Sequence, residues 1–175
     1  MNADIAKMIA NLSQSLLPVQ ELITGLGYLI GILMMMTAIS KLRQIADARA
    51  SGGSHEKAFV PLAYFLGGSA LIFLPSAVTV LSNTAFGTGN ILQYTSYNPY
   101  DIYNSVRILI KTAGLIWFVR GCVLLVHASE PGVQHGPKGL VFLCAGVMAV
   151  NFEGSIEVLN YVTDRLFSLS KSIGS

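Results

Sequence analysis

Charge is what this chain has least of. Only 11% of its 175 residues are Asp, Glu, Lys or Arg, against about 25% in an ordinary soluble domain. Between Ala58 and Val106 there is one formal charge, Asp101. Basic excess is missing too: a net charge of +2, with no basic run interleaved with aromatics, gives nucleic acid no electrostatic footprint. The two cysteines, Cys122 and Cys144, form no CxxC or Cys/His metal spacing and specify no redox compartment. They read as small apolar fillers at matching depth in one hairpin. No Ser-His-Asp set, HExxH, P-loop or dinucleotide glycine pattern occurs, so the expectation is a protein that is not an enzyme and holds no metal.

What the chain has instead is long apolar runs. Hydrophobic residues make up 53% of it and its mean hydropathy is +0.59. Leu22–Ser40 and Ala58–Leu81 carry no charge, and about 18 such residues suffice for a helix to cross a 30 Å hydrocarbon layer. Leu22–Ser40, followed by Ala46-Asp47-Ala48, resembles a signal peptide, but the 21 residues before it are long for one and hold a single basic residue, Lys7. It is read as a retained span.

The pattern predicts an all-α integral membrane protein. Residues 1–20 place Ile5, Met8, Ile9, Leu12, Leu16 and Leu17 at helical spacing and are expected to form an amphipathic helix ended by Pro18. A first helical hairpin follows over 21–81, a polar Tyr/Asn-rich loop over 82–105, a second hairpin over 106–163 and a tail over 164–175. Four apolar helices result. Gly31 matches Gly121, His55-Glu56-Lys57 matches His135-Gly136-Pro137-Lys138, and Gly68 to Phe73 matches Gly146 to Phe152. This is the signature of tandem hairpins, although unrelated apolar segments also resemble one another. Lys41, Arg43, Arg49 and Lys57 in the first connector, and Lys138 with two histidines in the second, place both connectors on the cytoplasmic side; the middle loop has no Lys or Arg.

Ionisable groups inside apolar segments are costly and call for partners. Folding the second hairpin about Gly132 and Val133 sets Lys111 near Ser155, flanked by Glu153 and Glu157, with Arg107 reaching Glu157. These four are expected to form structural ion pairs. A proton or ion pathway is the alternative, but it needs polar groups at several depths, and the first two spans supply none. Arg120 points away from that face and meets no acid, so it is expected to snorkel to headgroups or to contact a neighbouring subunit or a phospholipid phosphate. Lys41, Arg43 and Lys57 flank the spans at headgroup height and are the next candidates. Gly25, Gly27 and Gly31 offer a groove for close helix approach. Met34-Met35-Met36 reads as adaptable packing.

Gly67–Ser76 (GGSALIFLPS) and Cys144–Ser155 (CAGVMAVNFEGS), together with the tandem hairpins and the amphipathic start, resemble the TraQ/IcmC/DotE family. These are small membrane proteins of type IVB secretion and IncI-type conjugation systems. The resemblance carries over no catalytic residue. It implies a subunit of a multiprotein transfer machine in the bacterial inner membrane, with itself and other secretion components as partners. It further implies either a conjugative pilin, self-assembled into a helical filament that packs phospholipid, or an inner-membrane channel or scaffold component. A small transporter or ion channel is the reading outside the family.

Overall fold

The computed structural model describes residues 2–52, 58–87 and 102–173. It is 90% helix, and the described residues contain no strand. Six helices follow in order: α1 Asn2–Ala50, α2 Phe59–Ile72, α3 Leu74–Phe86, α4 Ile102–His127, α5 Gly136–Val150 and α6 Phe152–Ile173. Two of them, α1 and α4, are each long and apolar enough to cross a membrane; α2 with α3 and α5 with α6 are bent pairs that raise the number to four if each pair counts as one span.

Three expectations change. The amphipathic segment and the first span are one helix of 49 residues that runs through Pro18. A proline inside a helix removes one N–H from the ladder and crowds the carbonyl one turn back, at a cost of about 3 kcal/mol. Just beyond it, Gln20 donates from Nε2 to Thr112 Oγ1 at 2.8 Å, so a tertiary contact takes hold where the local signal said stop.

The second and fourth apolar stretches, each expected to be a single helix, are instead broken at Phe73 and Asn151, with bends of 99° and 101°. At the first break Pro75 sits in the opening turn of α3, where a missing N–H is tolerated. At the second, Asn151 Oδ1 accepts the Gly154 N–H at 3.2 Å and caps α6. The polar loop is also shorter than 82–105 suggested, since α3 runs to Phe86 and α4 begins at Ile102. Tyr94, Tyr97 and Tyr100 lie outside the described residues.

The two halves repeat each other closely. Phe73 N–H bonds to Ser69 O, and Ala77 N–H bonds to Phe73 O; Asn151 to Val147 and Ser155 to Asn151 do the same. Both break residues sit at φ −101°. Each hairpin also crosses on a pair of glycines. A Cβ on Gly31 would lie 2.8 Å from Gly68 O, and one on Gly146 would lie 2.8 Å from Gly114 O. The structural counterpart of Gly31 is therefore Gly114, a correction of the Gly31–Gly121 match; Gly121 packs on Leu143 instead.

Helices α1 and α4 lie side by side and run in the same direction, since Gln20 meets Thr112 and Lys41 meets Glu130. Between the hairpins sits a core centred on Phe118, Leu71, Leu74 and Val78, all fully buried. The outside is as apolar as the inside: Leu22, Leu29, Leu33, Ile39, Leu66 and Val141 are all more than half exposed.

Backbone contact at the glycine crossings leaves no room for a side chain. Gly31→Leu and Gly146→Leu are each expected to destabilise the fold by about 1–3 kcal/mol. Gly25 has nothing within 4 Å of a built Cβ, so Gly25→Leu should leave the melting temperature unchanged or raise it slightly. Thermal unfolding in detergent, followed by circular dichroism, checks all three.

Candidate functional site

The polar groups that hold the hairpins together gather at the two ends of the helix pair. At the connector end, Lys41 near the close of α1 puts Nζ 3.2 Å from Glu130 Oε1. Tyr64 of α2 donates its hydroxyl to the same oxygen at 2.7 Å. The ammonium also lies 5.2 Å from the centre of the Tyr64 ring, and the His127 ring stands edge-on to that ring at 6.0 Å. His127 Nδ1 in turn contacts Val123 O at 2.8 Å. Glu130 stands in the turn after α4, so one carboxylate joins α1, α2 and α4. The hydrogen bond from Tyr64 and then the Lys41 ammonium hold its carboxyl below the usual range, with partial burial opposing them.

At the opposite end, Gln20 reaches the buried Thr112 hydroxyl and the Ile108 carbonyl, the latter at 3.4 Å. Arg107 Nη2 meets Glu153 Oε2 at 2.6 Å across α4 and α6. The expected pairing of Arg107 with Glu157 is therefore replaced by one with Glu153. The reason is the bend at Asn151, which carries α6 away from α4 and leaves Glu157 exposed. Lys111, half-buried, senses both Arg107 and Glu153 electrostatically.

The remaining candidates scatter. Arg120 is exposed, with its guanidinium carbon 4.9 Å from the centre of the Phe142 ring on α5. Arg43 pairs loosely with Asp47 at 4.0 Å on the surface, where such a pair contributes little. Lys57 lies outside the described residues. Gly27 and Gly31 are buried against α2 and α3 of their own chain, and Gly25 alone faces open space. The close helix approach expected of this groove is made at Gly27 and Gly31 within the chain itself. Cys122 is buried and Cys144 exposed, both as free thiols.

Sequence reasoning missed Glu130, Tyr64, Gln20 and Thr112. Glu130 had a signal, being the lone acid in a connector that ends at the same depth as Lys41. The Gln20–Thr112 contact had none, because nothing in a sequence says which helices lie side by side. Among the described residues, no group of three His, Cys, Asp or Glu could hold a metal ion.

Comparison with protein-family models, with curated proteins and with solved structures finds no match to this chain.

Two sets of substitutions test the ends. Glu130→Gln is expected to cost about 1–2 kcal/mol, the order of a charge-assisted hydrogen bond at a partly exposed site. Because the folded-state carboxyl titrates below the ordinary value of 4.5, its contribution is complete at neutral pH. It is lost as the pH falls below 4.5 and through the lower folded-state value. The acid limb of the stability–pH curve should accordingly flatten in Glu130→Gln. At the other end, Glu153→Gln should lower stability by about 1 kcal/mol while Glu157→Gln leaves it unchanged. Equal effects from the two glutamates in chemical unfolding would contradict the pairing.

Proposed function

We propose that this chain is a self-associating, non-catalytic subunit of a type IVB conjugation or secretion apparatus, and that it assembles as a pilus subunit packed with phospholipid. The observation that carries the reading is the outer surface of the second hairpin. Arg120 projects there among the exposed Ile116, Trp117 and Val141, braced by the Phe142 ring. It lies seven residues before the end of α4, about 10 Å along the helix from the connectors. A cation on an apolar surface at that depth needs an anion that brings its own apolar body. A phospholipid supplies both, and guanidinium binds phosphate through two parallel hydrogen bonds.

The resemblance to the TraQ/IcmC/DotE proteins gives the reading its context. It rests on Gly67–Ser76 and Cys144–Ser155, the segments that contain Gly68 with the Phe73 break and Gly146 with the Asn151 break. Among the described residues, the buried polar side chains are Ser82, Ser105 and Thr112. That is poor lining for a transport route, which needs polar groups at successive depths. A second reading, an inner-membrane channel or scaffold component, is favoured by the turn of α6 through 101° from α5. A helix lying across the axis of its hairpin suits a subunit that stays in a bilayer.

Filaments sheared from cells and examined by electron microscopy and mass spectrometry decide between the two forms. The pilus reading expects this chain as their main protein, with phospholipid extracted from them in stoichiometric amount. Only a trace of lipid would overturn the packing claim, and recovery of the chain in the inner membrane alone would leave the scaffold. Arg120→Gln is expected to lower bound lipid and transfer together, with unfolding in detergent unaffected.

A further inference from the structure

Beyond its first turn, helix α6 packs on nothing among the described residues. Every described side chain from Ile156 to Lys171 is exposed, whereas helices in proteins draw most of their stability from packing an amphipathic face. Its residues are nonetheless sharply sorted. Ile156, Leu159, Val162, Leu166 and Leu169 recur at three- and four-residue spacing along one side, and Leu159 and Leu166 are 64% and 62% exposed. Phe167, 72% exposed, widens that side. Glu153, Glu157, Asp164 and Lys171 occupy the other. At 100° per residue the apolar arc covers about half the cylinder. That is wider than the narrow seam by which one helix grips another.

We propose that α6 lies in the plane of a bilayer as an interfacial helix, with its apolar half in the acyl boundary and its acidic half in water. The proposal rests on the membrane residence proposed above. If α5 stands along the membrane normal, the 101° bend at Asn151 lays α6 nearly parallel to the surface. The bend is fastened on both sides, by the Asn151 cap on the Gly154 N–H and by the Arg107–Glu153 pair. Leu140, Val141 and Met148 are exposed on α5, so the apolar surface continues across the bend from one helix to the next. Tyr161 sits at the edge of the arc, where Arg165 Nε donates to its hydroxyl at 3.3 Å. A tyrosine with a snorkelling arginine suits the headgroup level. The acids outnumber the bases on α6 by three to two, so attachment is by apolar burial rather than by attraction to anionic lipid.

The test uses the full chain, with Cys122→Ala and Cys144→Ala, reconstituted in phosphatidylcholine vesicles. An environment-sensitive fluorophore is placed on single cysteines at Leu29, Glu157, Leu159, Asp164 or Leu166. Quenching is read with spin labels at shallow and deep acyl positions. Leu159 and Leu166 should be quenched several-fold more than Glu157 and Asp164, and both by the shallow label. Leu29, midway along the exposed side of α1, should be quenched by the deep one. Three results overturn the proposal: no quenching at Leu159 and Leu166, a depth that grows steadily from Leu159 to Leu166 as in a spanning helix, or quenching at these two sites that rises as the protein is diluted in lipid, which means a second copy had covered them. Failure at Leu29 as well would instead remove the membrane residence on which the proposal stands. Circular dichroism of each labelled variant confirms that it is helical, and Leu169 serves as a replacement site for any that is not.

Discussion

Two close approaches of backbone to backbone set the geometry of this molecule. Where α1 passes α2, Gly31 and Gly68 meet with no side chain between them, and Gly114 and Gly146 meet in the same way where α4 passes α5. Helices in apolar surroundings gain little from hydrophobic burial against one another, and close van der Waals contact between small residues takes its place. Each crossing fixes how its two helices slide and rotate past each other. With the hairpins so fixed, Phe118, Leu71 and Leu74 come together between them, and the ion pairs between elements fall at the ends.

The ends then carry the polar chemistry. Lys41, Tyr64 and Glu130 satisfy one another at the connectors, and Gln20 pairs with Thr112 and Arg107 with Glu153 at the other end. A middle sealed by apolar contacts and glycine, with hydrogen bonds confined to the margins, is the arrangement that costs least where water is scarce. It also explains why Arg120 stands out. Its partner in the described structure is an aromatic face rather than an acid.

Much of this was legible in the sequence, and the failures have physical causes. The all-helical architecture and the hairpin pairing follow from uncharged runs and from Pro- and Gly-bearing connectors, because both are local properties. The tandem repeat was legible at Gly68 and Gly146, which play the same part in each half. It misled at Gly121, because both Gly114 and Gly121 lie among apolar residues and nothing local marks which of them meets the facing glycine. Pro18 failed as a stop signal because a proline reports a local cost, whereas Gln20 beside it draws on a contact with Thr112 made elsewhere in the chain. The breaks at Phe73 and Asn151 were hidden by hydropathy, which averages over a window and cannot register one residue leaving the helical region. Pro75 and Asn151 were their only marks. Once the fourth stretch bends, the ion pairing follows. A straight helix would have brought Glu157 toward Arg107, and a bent one presents Glu153.

The repeated break is put to different use in the two halves, and composition decides which. After Phe73 the chain continues as LPSAVTVLSNTAF, with no charge and with Leu74, Val78 and Ser82 buried. Turned through 99°, α3 folds in against the rest of the molecule and becomes part of its core. After Asn151 the chain continues with Glu153 and Glu157 one turn apart, and Asp164 follows on the same side. Three acids on one face cannot enter that core without leaving charges unpaired, at several kcal/mol each. The same bend therefore sends α6 outward, held at its root by Asn151, Ser155 and Arg107. One backbone device, repeated, gives the first half an inner layer and the second half an outer arm.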